Sequence, residues 1–530
     1  VTFTGELLPY QQPAFDLMVE RKKVLVAYEM GLGKTVLTIA AVEHLMDSMQ
    51  ITEPGIVVCL SALKYQWAEA ITKFTGGTSV PLVIDGTPTK RGQQYGEAFD
   101  WMNTGVDYVI MNYEQVVGDW DIVRKLPRGF VVVDEVTAIK GFRAQRSRRI
   151  KKLTADINYA LTGTPIENGK PEEVYSIMQF VDPEVLGRFD LFDRTFIVRN
   201  GFGGVERYRN LPVLHTRLSQ VLVRKRQADP DVAPYLPQVM PADPEDRKLL
   251  VQLDPNARKL YQHIAGELLA DLQDAQAMFG GSFNLDAHYG LQSPDGGPAD
   301  EIRGRIMSKV GALRMLCDFP GLLRISAAKA DTLTGGSQYC WALRERGLLD
   351  KLRRAPKLET LGAYVSAELE TDPSAKIVIF TMFREMVDVI RTALGTYESV
   401  PYTGAMNASE KERAKQRFQH EASVRLLVST DAGGYGVDLP QAHILVNYDL
   451  PWASGTAIQR DSRIIRASST HERVYLRDLL VRDSIEERHW AALQAKNAVA
   501  AAIVDGHGVN TRGGVDLTLE SLTAFLGRTS

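Results

Sequence analysis

The feature that most restricts this fold is a rhythm of short apolar runs set between longer amphipathic stretches. Residues 24–27, 56–60, 108–111, 130–133 and 159–161 are each brief, rich in β-branched or aromatic side chains, and followed by polar or glycine-containing turns. Runs of this kind read as strands of a parallel sheet whose two faces are covered by helices. The rhythm stops near residue 215 and resumes at Ala375, where 377–380, 425–429, 444–447 and 474–476 repeat it. Between the two blocks, residues 256–276 carry Leu260, Ile264, Leu268, Leu269 and Leu272 at helical spacing. Stretches 280–298 and 332–338, rich in Gly, Ser, Asp or Pro, interrupt that region and read as loops. The expected fold class is therefore α/β. It consists of two tandem parallel-sheet lobes, 1–215 and 351–500, with helical insertions at 216–350 and a tail or small accessory segment at 501–530.

Composition narrows the function class mainly by exclusion. A chain of 530 residues is too long for one ordinary core. No apolar run approaches the roughly 20 residues that span a bilayer, so no membrane is expected. The first ten residues lack a charged start followed by an apolar stretch, so no signal peptide is expected either. Cys59, Cys317 and Cys340 lie far apart with no CxxC pair. That excludes a disulfide framework and a zinc site built on CxxC, and fits a reducing, cytoplasmic setting. A net charge of −3 does not mark a nucleic-acid binder, so any such evidence must be local.

The sextet Met30-Gly31-Leu32-Gly33-Lys34-Thr35 follows the run 24–27 and precedes a helical stretch, 36–46. Strand, glycine-rich turn and helix together form the context of a phosphate-binding loop. Glycines let backbone N–H groups turn toward oxyanions, and the helix N-terminus adds the positive end of its dipole. Lys34 would reach the β- and γ-phosphates of ATP, and the Thr35 hydroxyl would bind Mg²⁺. The GxxxxGK[ST] pattern wants Gly where this chain has Tyr28. The alternative reading is a glycine-rich turn before a surface helix. Downstream, Val131-Val132-Val133-Asp134-Glu135 ends an apolar strand in two carboxylates. Asp134 would hold Mg²⁺ through water, and Glu135 would orient or deprotonate the attacking water. The alternative is a strand end with solvated acids.

With these two motifs in place, the chain resembles a superfamily 2 helicase-type ATPase, and more narrowly the SWI/SNF-like DNA translocases. That family also lacks the first glycine of the loop. Leu8-Pro9-Tyr10-Gln11 resembles its glutamine motif, in which Gln11 would read the adenine edge. Leu161-Thr162-Gly163-Thr164-Pro165-Ile166-Glu167-Asn168 resembles the third motif, and Ile377 to Phe383 the fourth. Residues 429–439, including Gly436 and Asp438, resemble the fifth; residues 459–466, with Arg463 and Arg466, the sixth; and residues 483–488 the segment that follows it. The likeness runs from about residue 5 to 495.

The resemblance implies two RecA-like lobes, with nucleotide contacts at Gln11, Gly31, Leu32, Gly33, Lys34, Thr35, Gly436 and Asp438. Catalysis would fall to Lys34, Asp134, Glu135, Arg463 and Arg466, and metal binding to Thr35 and Asp134, with ATP and Mg²⁺ as cofactors. Arg463 and Arg466, three apart, would share one face of a helix and reach the phosphates only when the lobes close. The alternative is a solvated charged helix, since Arg460 and Asp461 interleave. The implied function is ATP-driven movement on double-stranded or branched DNA, by a monomer in a bacterial or viral-host cytoplasm. An RNA-dependent helicase and an ATP-gated DNA clamp without turnover are the rival readings. Two positions depart from the family: Thr137 stands where the second motif has His, and Leu8 where Arg is common.

Residues 140–152 hold seven basic residues (Lys140, Arg143, Arg146, Arg148, Arg149, Lys151 and Lys152) and no acid. They read either as a strip of phosphate contacts or as a basic surface helix. The stretch from Ser61 to Trp67, Asn112-Tyr113-Glu114 and Thr403-Gly404 are further candidate contacts to a nucleic-acid backbone. For Trp67, core packing is the expected role rather than base stacking.

Overall fold

The computed structural model describes residues 2–141, 144–166, 170–199, 205–279, 298–332, 334–431, 437–466 and 469–504. The described strands of the first half are β1 (Lys23–Tyr28), β2 (Gly55–Cys59), β3 (Val80–Val83), β4 (Val106–Asn112), β5 (Phe130–Asp134) and β6 (Ile157–Leu161). They continue with a small antiparallel hairpin, β7 (Ile197–Arg199) and β8 (Val205–Tyr208), and with β9 (Leu222–Lys225). The later strands are β10 (Gln238–Met240), β11 (Lys248–Val251), β12 (Ile377–Thr381), β13 (Glu398–Tyr402), β14 (Val424–Thr430), β15 (Ile444–Asn447) and β16 (Arg473–Val481).

Two parallel sheets result. The first runs β3-β4-β2-β5-β6-β1-β9, and the second β10-β16-β15-β12-β14-β13 with β11 also on β16. Strands β2, β5 and β6 are buried along their whole length, so covered faces explain why they read as unbroken apolar runs. Residues on alternate sides of each strand feed separate cores. Val131 and Val133 join one, while Phe130 and Val132 join the other.

The α/β expectation with tandem lobes and helical insertions holds. The first sheet, however, reaches beyond the boundary expected at 215, because β9 pairs with β1 from Leu25↔Leu222 to Tyr28↔Lys225. The insertion region also lends β10 and β11 to the second sheet. Its helical part comprises Pro255–Phe279, Pro298–Asp318, Gly321–Asp331 and Gln338–Glu345. Leu260, Ile264, Leu268 and Leu272 are buried in one core there, with Leu269 packed at its side. Of the two expected loops, 280–297 lies outside the described residues, and so does the tail beyond Val504. No helix among the described residues is long and apolar enough to cross a membrane.

A buried ionic cluster fastens the insertion to the second lobe. Lys357 donates to Asp318 at 2.8 Å and to Glu486, with its own side chain 1% exposed. Burial alone would lower the Lys357 ammonium, but the two carboxylates outweigh it and hold the group above its usual range. Glu486 also accepts from the Val481 N–H at 2.8 Å, and the Tyr448 hydroxyl donates to the Asp318 carbonyl. Three helices and the end of β16 therefore meet on one ammonium. Lys357→Met should destabilise the second lobe by about 3–5 kcal/mol, since it leaves two buried carboxylates without their cation. Denaturant unfolding at neutral pH would read this, and an unchanged midpoint would contradict it.

Candidate nucleotide site and interlobe cleft

The loops after β1, β2, β4, β5 and β6 leave the first sheet from the same, C-terminal edge, where parallel α/β sheets place ligands. After β1, Gly31 and Gly33 adopt φ of +83° and +78°, and the helix Lys34–Asp47 begins directly. The φ of Gly33 favours glycine there, and a Cβ would also press on the Gln11 Nε2, 2.4 Å away. Gln11 Nε2 donates to the Leu32 carbonyl at 3.0 Å, and its Oε1 accepts from the Leu8 N–H at 2.8 Å. The side chain thus braces the loop. One amide N–H and one oxygen lone pair remain for another partner.

Lys34 Nζ donates to the carbonyls of Tyr28 at 2.9 Å and Glu29 at 3.3 Å. Burial lowers its pKa; Glu135 and Asp134 oppose that, while Arg466 and Arg224 reinforce it. The lysine, the two carboxylates and an arginine of the other lobe are therefore close enough to act on one another's charge. Thr35 lies in the first turn of the same helix.

Asp134 closes β5 and is buried. Its Oδ2 accepts from the Trp67 indole Nε1 at 2.9 Å, and its Oδ1 from the Glu135 N–H at 2.9 Å. Burial pushes this carboxyl up, against the bond from Trp67 and the charge of Lys34. Glu135 takes the left-handed φ of +50°, a backbone strain of the kind found at functional turns. The Tyr113 hydroxyl holds that turn through the carbonyls of Asp134 at 2.6 Å and Glu135 at 3.2 Å. A buried carboxylate and a threonine hydroxyl in the first turn of the loop's helix are oxygen donors of the kind that suit a divalent cation with retained waters.

Trp67 is thus core packing, as expected, and also a bond to the Asp134 carboxylate that its spacing did not reveal. Trp67→Phe keeps the ring and removes the donor. It should cost about 1.5–3 kcal/mol, the range for a hydrogen bond to a charged group. Urea unfolding of the first lobe checks this, and equal midpoints would show that the bond contributes nothing.

The second lobe reaches the loop through Arg466. A Cβ built on Gly31 would stand 3.0 Å from Arg466 Cδ and 3.0 Å from the Ile465 carbonyl, so lobe two seats on this glycine. Asp438 Oδ1 lies 2.5 Å from Arg466 NH2 and orients it. Arg463 instead faces its own lobe, donating to the Val437 carbonyl at 3.5 Å and accepting from the Leu439 N–H through its carbonyl. The two arginines do not share a helix face: the helix Ser454–Asp461 ends before either. Nor is the segment solvated. Arg460 is 2% exposed, paired with Asp431 at 2.5 Å and donating to the Asp449 carbonyl at 2.5 Å. Gly436, Glu167 and Asn168 lie outside the described residues.

The basic strip divides. Arg143 lies outside the described residues. On the helix Gln145–Ile150, Arg146 pairs with Glu114 at 2.8 Å and Arg149 lies over the Trp120 ring. Lys151 donates to Ser176 Oγ, and burial pushes it down to about 8. Arg148 and Lys152 are exposed. Among the strand-end candidates, Asn112 caps the helix Tyr113–Gly118 and Tyr113 is buried, so neither is presented outward. Thr403 is nearly buried, whereas Gly404 is exposed.

Sequence reasoning missed Arg224 and Gln227. Arg224 NH1 donates to the carbonyls of Ala27 at 2.8 Å and Gly163 at 3.0 Å, and its NH2 to Glu29 Oε1 at 3.0 Å. The only signal was a basic residue in a short apolar run, where no strand was expected.

Comparison with known proteins agrees with this geometry. Residues 10–316 match the SNF2-related domain, and residues 356–468 match the helicase conserved C-terminal domain. The chain is 24% identical over 513 residues to the putative ATP-dependent helicase/translocase YwqA of Bacillus subtilis, covering 95% of this chain and 49% of that protein. It is 22% identical to the ISWI chromatin-remodeling complex ATPase ISW1 of Saccharomyces cerevisiae, covering 91% of this chain and 39% of that one. The chain therefore spans less than half the length of either relative. In fold it is similar to the Hef helicase domain of Pyrococcus furiosus, with a TM-score of 0.52, 15% identity, and coverage of 92% of this chain and 98% of that one.

Proposed function

Because the chain belongs to the SNF2-related family of helicase-type ATPases, we propose that it hydrolyses ATP with Mg²⁺ to move along double-stranded or branched DNA. The observation that carries this reading is the seat of Arg466 on Gly31, which makes the site a product of both lobes. ATP with Mg²⁺ supplies the phosphoryl group and the metal charge that offsets its transfer. Lys34 and the N–H groups of Gly31, Leu32 and Gly33 would bind the phosphate oxygens. Thr35 and Asp134 would hold the metal, with Trp67 fixing Asp134. Glu135 orients the attacking water and takes its proton. Arg466, aimed by Asp438, adds positive charge as the lobes close, and Arg463 stiffens the segment that delivers it. Gln11 offers its free N–H and lone pair to an adenine edge. Thr137, buried in the turn after Glu135, replaces an imidazole in coupling but has no part in the hydrolytic steps.

ATP turnover measured with single-stranded, duplex, forked and four-way DNA and with RNA tests this reading. Duplex or branched DNA should stimulate most. Equal stimulation by RNA would favour the RNA-dependent reading, and tight DNA binding without turnover would favour the clamp. Among the described residues of the basic strip, Arg148 and Lys152 are exposed, and they are the proposed partners of the DNA backbone. Replacing both with Ala should weaken duplex binding equally across sequences. The slope of log K against log[salt] should flatten by about 0.9 for each phosphate no longer neutralised. An unchanged slope would return the strip to a plain surface role. Three buried free cysteines suit a reducing setting such as the cytoplasm.

A further inference from the structure

Three groups meet just before the phosphate loop. The Glu29 carboxylate accepts from Arg224 NH2 at 3.0 Å on one oxygen and from the Gln227 N–H at 2.8 Å on the other. The Gln227 amide then turns to the loop and donates to the Met30 carbonyl at 3.0 Å. The same Nε2 stands 3.5 Å from Ser462 Oγ, a residue of the second lobe. Met30 is the residue before Gly31, on which Arg466 and the Ile465 carbonyl rest. One amide therefore touches both partners of the interlobe contact. Its own backbone is pinned by Glu29, and Glu29 is pinned in turn by an arginine that also holds the Ala27 and Gly163 carbonyls.

We propose that Gln227 is a positioning residue that ties the phosphate loop to lobe closure, with Glu29 and Arg224 as its anchor. This rests on the ATPase reading above. The physical argument is directional. A primary amide has two N–H donors, so it can hold the Met30 carbonyl in place and offer a hydrogen bond to the Ser462 hydroxyl at the same time. When the second lobe withdraws, the bond to Ser462 breaks while the Glu29 and Met30 bonds remain. The Ser462 bond therefore adds to the closed arrangement alone, while the Met30 bond steadies the loop in both. An interaction made only on closure is felt in kcat and not in affinity.

The test uses the full chain with one dye on each lobe. Met102 is 80% exposed in the first lobe, and the Asp388 side chain is 84% exposed in the second. The three native cysteines are buried, so the double substitution Met102→Cys, Asp388→Cys labels selectively. Energy transfer is recorded with a non-hydrolysable ATP analogue and duplex DNA, alongside binding of a fluorescent nucleotide. Gln227→Ala should populate the closed state less and lose about three- to tenfold in kcat, the scale of one neutral hydrogen bond, with a smaller change in nucleotide affinity from the lost Met30 bond. Gln227→Glu has the same shape but no donor, so it should fail as Ala does. Closure equal to the unmodified protein in Gln227→Ala overturns the proposal. So does full rescue by Gln227→Glu, which would leave only packing. A parallel loss of nucleotide affinity and melting temperature would also overturn it, by showing a merely structural role. Closure is read without hydrolysis, so these outcomes stand apart from failure of the ATPase reading, which is absence of turnover in the unmodified chain.

Discussion

Arg466→Ala should lower DNA-stimulated ATP turnover by roughly 10³-fold or more, the low end of what a trans-acting arginine supplies in phosphoryl transfer. Nucleotide affinity without DNA should hardly move, because the glycine loop, Lys34 and the helix dipole belong to the first lobe. DNA affinity without nucleotide should also survive. The expected signature is a fall in kcat with KM little changed, read by steady-state kinetics and by equilibrium binding of a fluorescent nucleotide. Asp438→Asn, which leaves Arg466 its charge but weakens its aim, should give a smaller loss. Arg463→Ala should also slow turnover, with a cost in stability, because Arg463 is buried against its own lobe. Full stimulated activity in Arg466→Ala would refute closure as the trigger and leave the arginine a packing role.

Glu135→Gln should separate binding from hydrolysis. The amide keeps the shape and the left-handed turn but cannot take a proton, a change that typically costs roughly 10²–10⁴ in rate. ATP should bind and remain, so a filter or fluorescence assay would find nucleotide retained while phosphate release stops. Lys34→Ala should fail differently, losing affinity as well as turnover, because its ammonium is the cation that sits among Glu135 and Asp134. Near-normal turnover in Glu135→Gln would remove this residue from the chemistry.

Much of the scaffold was legible because parallel strands buried on both faces announce themselves as apolar runs. Strand β5, with Val131 to Val133 closing on Asp134, is the clearest case. The edge strands were not. β3 and β13 contain Pro81 and Pro401, which edges tolerate and which blur the run. β9 is four residues long and carries Arg224 and Lys225, so its chain segment read as the start of a helical region. The site followed the same division. Gly31, Gly33, Lys34, Asp134 and Glu135 stand in short, contiguous patterns that dictate their geometry. Trp67 and Gln227 act through tertiary contacts, and no local spacing encodes them. For Arg463 and Arg466, the three-residue spacing suggested a helix where the chain has already left one.

The strand order also governs what the growing chain can do while it is being made. β1 is made before both of its neighbours, β6 and β9, with Lys23 waiting for Asn158 and Leu25 for Leu222. Until β9 emerges, the strand that carries the phosphate loop has an unpaired edge, the kind of surface that invites wrong pairing. The second sheet repeats the problem in a longer form, since β10 and β11 are synthesised well before their partner β16. Both lobes are thus closed by late-arriving segments, and a nascent chain stopped short of β16 holds two strands that nothing yet pairs with.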